Sequence, residues 1–422
     1  MENLLQNLKE YQEICTVPFN TSGVRMFLRD KIINKQNITE NAYCLYYNNG
    51  KNIGKRKLII MCHTDHPGIT LKSNKTGIFW GTPGYTRLQK MLQKMPISLA
   101  IFDSEGNRVG KGALLEINDP IKQMVTIQTD VEIKDNFSAQ YDIAGFTLIN
   151  DSVHLYNADD GVNVSIMLEL VNQNIETALD IYYVFNLHEE VYQITSWRNA
   201  KSNYFDVNKS DIIINLECLK IDNVNPAKYP MANYDNGVVL QLSNVGCLFG
   251  YKNPGDNLSE KIVLESAKRA EISIQTGVIK DSCDSRPFTE FGLTPNICSL
   301  TIPNKYKHNE RGEKVAQEEI KLQDINNSLK ILQKIGSYNE NDLNAANNVQ
   351  PSLAGKIKSK DDVTDHSLMR AKNRLNNRID VAYRNIVKRG YYYPITLRDK
   401  TMDTVYKLLS YIDYLIQKLT KQ

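Results

Sequence analysis

The sequence predicts an α/β protein with a mostly parallel central sheet flanked by helices, a small inserted β domain and a C-terminal helical extension. Near-continuous apolar runs such as KLIIMC, DIYYVFNL and DIIINL are typical of parallel strands buried on both faces. Strand and helix patterns alternate after Asp159, which favours an α/β domain. The stretch between His63 and Asp159 instead holds short strand-like runs separated by turn signals such as Asn118-Asp119-Pro120.

Ionisable residues stand at or just beyond the ends of these apolar runs. They are His63, Asp65, Glu189, Glu190, Glu217 and His308. Because ligands in open α/β sheets gather at the carboxyl ends of the strands, we expect these side chains to lie close together. The pattern therefore predicts a functional site at one edge of the sheet.

An acidic pair, Asp159 and Asp160, precedes a helical pattern through Val162, Ile166 and Leu170. Asp is a favoured N-cap residue, so capping alone explains the pair when it is taken in isolation. Because other ionisable residues stand at the strand ends, we expect the acidic pair to have a functional role in addition to capping the helix.

The predicted domains follow from these patterns. Residues 1–68 and 152–336 form the catalytic α/β domain, 69–151 the inserted β domain, and 337–422 a linker with C-terminal helices. Apolar residues at helical spacing predict that a helix from Glu313 to Ile335 closes the catalytic domain.

The C-terminal segment is polar and Asn-rich from 337 to about 360, which predicts a linker, and helical patterns follow over 362–389 and 401–419. Basic residues alternate with tyrosines near 383–393, a combination found in nucleic-acid-binding proteins. A solvated helix face explains the same pattern more simply, and we do not expect nucleic acid as a partner.

Composition narrows the partners and the compartment. The 51 basic and 48 acidic residues nearly balance, which gives no electrostatic reason to expect nucleic acid or a membrane surface. No signal peptide and no apolar run of membrane-spanning length is evident. Seven cysteines without a CxxC pair indicate buried thiols in a reducing compartment, so we expect a cytoplasmic protein.

The residue types suit a centre with two divalent metal ions. The predicted metal ligands are His63, Asp159, Glu190, Glu217 and His308. Asp159 would bridge the two ions, with His63 and Glu217 on one ion and Glu190 and His308 on the other. Oxygen and nitrogen ligands without thiolate suit zinc, while cobalt and manganese remain open. Such a centre activates water and polarises an amide carbonyl.

Two further residues complete the predicted catalytic group. Asp65 lies two positions after His63, on the same strand face, where its carboxylate can accept the second ring N–H of the histidine. Glu189, next to Glu190, would act as the general base that deprotonates water.

The motifs HTDHPG, NADDG, LHEEV, NLEC and IPNKYKH, in this order, resemble the co-catalytic dinuclear zinc aminopeptidases. The insertion before Asp159 is similar to the β domain of the deblocking or glutamyl aminopeptidases, which assemble into tetrahedral particles. The resemblance covers about residues 1–336. It implies a zinc-exopeptidase-like fold, peptide substrates with a free N-terminus, a homo-oligomer, and a cis peptide bond between Asp159 and Asp160.

Three positions depart from that family. Gly161 follows the acidic pair where the family has Arg, and no glycine follows Glu190 in EEVYQITSW. Glu217 stands where Asp is more frequent. Three hypotheses therefore remain: a metalloaminopeptidase, an amidase or deacylase acting on a small non-peptide amide, and a catalytically inactive binding or scaffold protein. Substrate trials separate the first two, and metal binding without turnover would favour the third.

Overall fold

The computed structural model describes residues 1–49, 56–81, 85–119, 123–173, 175, 177, 179–221, 231–241, 257–277, 279 and 283–347. In chain order, its α-helices are α1 (Glu2–Tyr11), α2 (Ser22–Lys31), α3 (Tyr85–Leu92), α4 (Gly161–Gln173), α5 (Ile194–Ser202), α6 (Leu258–Arg269), α7 (Ser285–Glu290), α8 (Leu322–Gly336) and α9 (Glu340–Asn347). Its strands are β1 (Ile38–Glu40), β2 (Cys44–Asn48), β3 (Lys57–His63), β4 (Gly68–Leu71), β5 (Thr76–Trp80), β6 (Ile97–Phe102), β7 (Arg108–Asp119), β8 (Met124–Thr129), β9 (Ser138–Tyr141), β10 (Phe146–Ile149), β11 (Ser152–Leu155), β12 (Asp180–Asn186), β13 (Ile212–Leu219), β14 (Val239–Gln241), β15 (Gln275–Gly277), β16 (Ile297–Pro303), β17 (Glu310–Arg311), β18 (Lys314–Val315) and β19 (Glu318–Lys321).

The largest sheet is mixed and has the strand order β1-β2-β12-β3-β13-β16-β14-β15. Its four central strands, β12, β3, β13 and β16, run parallel to one another. Antiparallel pairing of β2 with β12, and of β14 with β16, occurs on either side of this centre. All eight residues of β13 are buried, which accounts for its near-continuous apolar sequence.

Helices cover both faces of this sheet. On one face, Leu58, Ile60 and Cys62 of β3 belong to the core that includes α4 and α8. On the other face, Ile59 and Met61 pack in a separate cluster with residues of α5 and α7. Because side chains alternate along a strand, His63 points away from the face that buries Cys62.

Strands β4 to β9 form a closed barrel in the order β4-β5-β8-β7-β6-β9. Its interior is filled by apolar side chains, among them Ile69, Phe79 and Leu114. The barrel ends at Tyr141, whereas the predicted insert extends to residue 151. Strand β10, inside the predicted range, joins β11 and β19 in a separate three-stranded sheet. That the barrel is a domain of its own remains a prediction.

Two predictions for residues 313–360 require correction. The helix expected from Glu313 begins at Leu322, because Glu318–Lys321 forms β19 and pairs with the distant strand β11. Part of the segment predicted as a linker is helical, since α9 spans Glu340–Asn347. Leu343 and Ala346 of α9 are fully buried in the main core, so packing stabilises a helix that its polar sequence does not reveal.

The predicted helices over 362–389 and 401–419 lie outside the described residues. Among the helices that the structure describes, none combines the length and the apolar character that crossing a membrane requires. Six cysteines in the described ranges are buried and free: Cys15, Cys44, Cys62, Cys218, Cys283 and Cys298.

Candidate metal centre

The parallel centre of the sheet brings the predicted site residues to one edge. His63 is the last residue of β3, and its partner in β12 is Asn186, three residues before Glu189. Glu217 lies near the end of β13, the other neighbour of β3. Because these strands are parallel, their carboxyl ends meet, and residues far apart in sequence become neighbours.

Two clusters of potential ligand atoms form at this edge and share Asp159. In the first cluster, His63 Nε2 lies 3.2 Å from Asp159 Oδ1 and 3.3 Å from Glu217 Oε1. In the second cluster, His308 Nε2 lies 3.3 Å from Asp159 Oδ2 and 3.0 Å from Glu190 Oε1. All five predicted metal ligands are therefore brought together, and each cluster uses one oxygen of Asp159.

The clusters have the chemistry of cation sites. Two carboxylate oxygens, Glu217 Oε2 and Glu190 Oε1, are buried without a hydrogen-bond partner. Glu190 Oε1 lies near His308 Nε2, but this contact does not have the geometry of a hydrogen bond. Leaving a buried carboxylate oxygen unsatisfied is costly, and a bound cation removes that cost. Imidazole and carboxylate together are ligands that zinc accepts. The donor atoms present thus fit a divalent metal ion in each cluster.

The negative charge of the clusters shifts the histidines toward their protonated forms. Burial alone would lower the pKa of His63, but the charge of Glu217 and the contacts with Asp159 and Asp65 outweigh it and raise the pKa well above its usual value. For His308, burial is likewise outweighed, chiefly by the charge of Glu190, and its pKa rises to about 10. Each cluster therefore attracts positive charge, either as a proton or as a metal ion.

The two residues of the acidic pair are held in different ways. The peptide bond between Asp159 and Asp160 is cis, as the family resemblance implies. Burial would raise the pKa of Asp159, but the charge of Lys307 and the contacts with both site histidines outweigh it and lower the pKa well below its usual value. Burial dominates at Asp160 and raises its pKa well above the usual value. Asp160 Oδ1 accepts a hydrogen bond from Asn163, at 2.5 Å.

Asp65 holds the turn that carries the two glutamates. Its Oδ1 accepts the main-chain N–H of Glu189 at 2.8 Å, and its Oδ2 accepts that of Glu190 at 3.0 Å. His63 Nδ1 lies 3.0 Å from the main-chain oxygen of Asp65 and 3.7 Å from Oδ1. The ring is therefore oriented by the carbonyl group rather than by the carboxylate, which differs from the sequence prediction. The carboxylate is already engaged by the turn after β12.

Glu189 has the properties of a proton-transfer group. Its Oε1 accepts a hydrogen bond from Gln193 Nε2 at 3.1 Å. Burial, reinforced by the charges of Glu190 and Glu217, raises the pKa of Glu189 well above its usual value, although His63 opposes the shift. A carboxyl group with a raised pKa is suited to general acid and base chemistry near neutral pH.

Sequence reasoning missed Glu318. Its Oε2 accepts the main-chain N–H groups of Ala158 and Asp159, at 2.6 and 3.0 Å, and its Oε1 accepts that of His308, at 2.5 Å. The false helix prediction concealed this residue. In the structure Glu318 and Ile320 are buried while Glu319 and Lys321 are less so, the period of two of a strand. The residue types of EEIK do not alternate in this way, so the sequence carried no signal for this strand.

The histidines near the site have positioning and packing roles in the structure. His66 Nδ1 lies 2.7 Å from the main-chain oxygen of Asp159, and its Nε2 lies 3.0 Å from Asn309 Oδ1. His188 stacks on Phe19 with ring centroids 5.0 Å apart, and burial lowers its pKa to about 4. His66 thus fixes the backbone of the shared aspartate, and His188 supports the wall beside the glutamate pair.

One of the departures from the resembled family, Gly161, has a local structural explanation, whereas the missing glycine after the glutamate pair has none. A Cβ atom on Gly161 would lie 2.9 Å from Tyr11 Cδ1, so a side chain there would collide with the buried tyrosine. The hydroxyl of Tyr11 donates a hydrogen bond to the main-chain oxygen of Thr64, at 2.6 Å. After the glutamate pair, Tyr192 and Gln193 take φ values of +56° and +55°, the left-handed region that favours glycine.

Comparison with known proteins identifies the fold. No known family model matches the sequence, and no curated protein matches it. Among solved structures, the chain resembles the Pyrococcus horikoshii TET1 peptidase, described as able to assemble into a tetrahedron or a large octahedral shell, with a TM-score of 0.62 and 17% identity over 80% of this chain and 100% of that one. A TET aminopeptidase from Thaumarchaeota archaeon SCGC AB-539-E09 gives a TM-score of 0.62 with 13% identity, over 81% and 99% of the two chains.

A protein described as an endoglucanase, from Thermotoga maritima, also shares the fold, with a TM-score of 0.57 and 15% identity over 80% of this chain and 99% of that one. The chain therefore has the mixed α/β fold of these peptidase-like proteins. Because the activities named for these neighbours differ, the fold does not define the reaction by itself, and the function has to be argued from the site.

Proposed function

We propose that this protein is a metal-dependent aminopeptidase that hydrolyses N-terminal residues from peptides by means of water activated at a centre of two divalent ions. The observation that carries the proposal is the position of Asp159. Its two carboxylate oxygens face two separate clusters, and each cluster adds one histidine and one glutamate. A shared carboxylate between two such sets is the arrangement that two-metal hydrolysis needs.

The chain's residues would divide the work between binding and proton transfer. His63 and Glu217 would hold one ion, Glu190 and His308 the other, and Asp159 both. When bound, the ions supply Lewis-acid polarisation of the substrate carbonyl and lower the pKa of water. Zinc suits the ligand set, with cobalt or manganese as alternatives.

Glu189 is proposed as the general base. It would take a proton from the attacking water and return it to the leaving amine, while Gln193 Nε2 holds one of its oxygens. Asp65 is proposed as a positioning residue, because its carboxylate fixes the main chain of both glutamates and its carbonyl oxygen orients His63.

Removal of N-terminal residues is preferred over other amide cleavage for two reasons. The five ordered motifs resemble aminopeptidases, and two of the structural neighbours are described as a TET peptidase and a TET aminopeptidase. The tetrahedral or octahedral assembly described for one neighbour also supports a homo-oligomer here. A cytoplasmic location and a separate inserted domain complete the proposal.

The test is a peptide digest read by mass spectrometry. The zinc-loaded protein is incubated with a mixed peptide library in free and N-acetylated form, beside Glu189→Gln and the control Glu105→Gln, which alters an exposed residue of a barrel turn. Loss of single N-terminal residues from free peptides, by the wild type and the control only, supports the proposal. Cleavage of the acetyl groups instead would indicate a deacylase. Metal binding with no turnover of any substrate would indicate a binding protein.

A further inference from the structure

Lys307 reaches into the centre beside the residues assigned to metal binding. Its Nζ lies 3.0 Å from Asp159 Oδ2, and only 13% of its side chain is exposed. The same oxygen lies 3.3 Å from His308 Nε2. The backbone adopts the left-handed conformation at His308, with φ of +61°. The side chains of Lys307 and His308 therefore both approach the same oxygen, Asp159 Oδ2.

This ammonium group makes the two clusters electrostatically unequal. The first cluster joins His63 to two carboxylates, Asp159 and Glu217. The second cluster also has two carboxylates, those of Asp159 and Glu190. Its Asp159 oxygen, Oδ2, is however already paired with the positive charge of Lys307. An ion held by Asp159 Oδ2 would lie within a few ångströms of the ammonium nitrogen, where like charges repel strongly in a buried site.

We propose that Lys307 is a resident cation of the second cluster, so that the centre binds one divalent ion tightly, at His63, Asp159 and Glu217, and a second ion only weakly. The inference rests on the proposed metal function and refines it. Lys307 pairs with Asp159 Oδ2 and so takes over part of the charge neutralisation that a second metal ion would supply. Removing the lysine should therefore strengthen binding of the second ion.

The test is a cobalt titration of the metal-free full chain, followed by calorimetry and by elemental analysis after dialysis. Lys307→Met removes the charge while keeping much of the side-chain length. Lys305→Met is the matched control, because Lys305 Nζ pairs with Glu319 Oε1 at 3.2 Å and its side chain is 45% exposed. Lys307→Gln is a second uncharged variant should Lys307→Met fail to fold.

We expect the wild type and Lys305→Met to bind one cobalt ion tightly and a second at least tenfold more weakly. In Lys307→Met the second ion should bind at least tenfold more tightly than in the wild type. Two equally tight ions in the wild type, or unchanged second-ion affinity in both Lys307 variants, would overturn the inference and leave the proposed function standing. Absence of any bound cobalt in the wild type would overturn the proposed metal function, and this inference with it.

Discussion

The carboxylate of Glu318 accepts the main-chain N–H of Asp159 at 3.0 Å and so fixes the residue that both clusters share. The same carboxylate holds the main chain at Ala158 and at His308. Strand β19 thus connects the start of α4 with the loop that carries the last predicted ligand. The second cluster is therefore held by a residue whose carboxylate faces the backbone rather than the proposed metal ligands.

Replacing Glu318 with Gln should weaken metal binding by about 10- to 100-fold, the usual effect of losing a group that orients the ligands. The amide has one oxygen and one NH2 group, so it cannot accept the hydrogen bonds from both sides, and its NH2 would face an N–H donor. Chelator competition measures the affinity. Glu319→Gln changes the neighbouring carboxylate, which pairs with Lys305, and should bind metal as the wild type does. Equal affinity in both variants would contradict the positioning role of Glu318.

Replacing Gly81 with a larger residue should impair both stability and activity, because this glycine lies against Glu190. Its φ is +70°, and an added Cβ would lie 2.9 Å from Glu190 Oε2 and 3.1 Å from Glu190 Cβ. Gly292 is a matched control, since its φ is +59° and a Cβ there meets nothing within 4 Å. Gly292→Ala should cost about 1 kcal/mol of unfolding free energy from the backbone conformation alone.

We expect Gly81→Ala to lose that amount and, in addition, to displace Glu190 and lower peptide turnover (kcat/KM) at least tenfold. Chemical denaturation and steady-state kinetics measure the two effects. If Gly81→Ala retained the activity of Gly292→Ala, Glu190 would not depend on the close approach of this glycine.

The turn after the glutamate pair should be stabilised by glycine. Tyr192 has a φ of +56°, a conformation that costs L-residues about 1 kcal/mol or more. Tyr192→Gly removes both this cost and the contacts of the ring, whereas Tyr192→Ala removes the contacts and keeps the Cβ. We expect the free energy of unfolding of the glycine variant to be about 1 kcal/mol higher than that of the alanine variant. Equal stabilities would show that the turn relaxes in the alanine variant.

Asp324 should make stability fall as the pH rises. Burial, with help from Asp235 and against the opposing charge of Lys321, raises its pKa from 3.8 to about 7. Between these two pH values the folded protein binds the proton more tightly than the unfolded chain does. The free energy of unfolding therefore falls as the pH rises from about 4 to about 7, and it levels off above that. The total is on the order of a few kcal/mol.

Asp324→Asn removes this titration. The difference in unfolding free energy between wild type and variant should therefore shift in favour of the variant between pH 5 and pH 8, while shared titrations cancel. Denaturant unfolding at several pH values measures it. A difference that stays flat across this range would mean that Asp324 is ionised in the folded protein throughout.

Much of the central sheet could be predicted from the sequence because strands buried on both faces leave a local signature. The apolar runs of β3, β12 and β13 placed His63, Glu189 and Glu217 at or just beyond strand ends without any knowledge of pairing. The structure then brought them together, since parallel strands share one carboxyl edge. The two cysteines beside the predicted ligands, Cys62 and Cys218, lie in the main core, as the alternation of side chains along a strand requires.

Strand β19 and helix α9 could not be predicted in the same way. The sequence of Glu318–Lys321 precedes a strong helical pattern, and only pairing with β11, far earlier in the chain, makes it a strand. Helix α9 is short and polar, and it is stabilised by the burial of Leu343 and Ala346 against the rest of the core. Local propensity is weak in both segments, so tertiary contacts decided their structure.

By itself, the sequence determined which residue types stand at the strand ends and therefore the kind of chemistry this edge supports. The tertiary structure alone decided that Glu318 holds the backbone of Asp159, that Lys307 pairs with Asp159 Oδ2, and that Gly81 approaches Glu190. Side-chain periodicity is a property of neighbours along the chain and can be read from it. Contacts between loops that cross a sheet edge depend on how distant segments pack, and no local pattern records them.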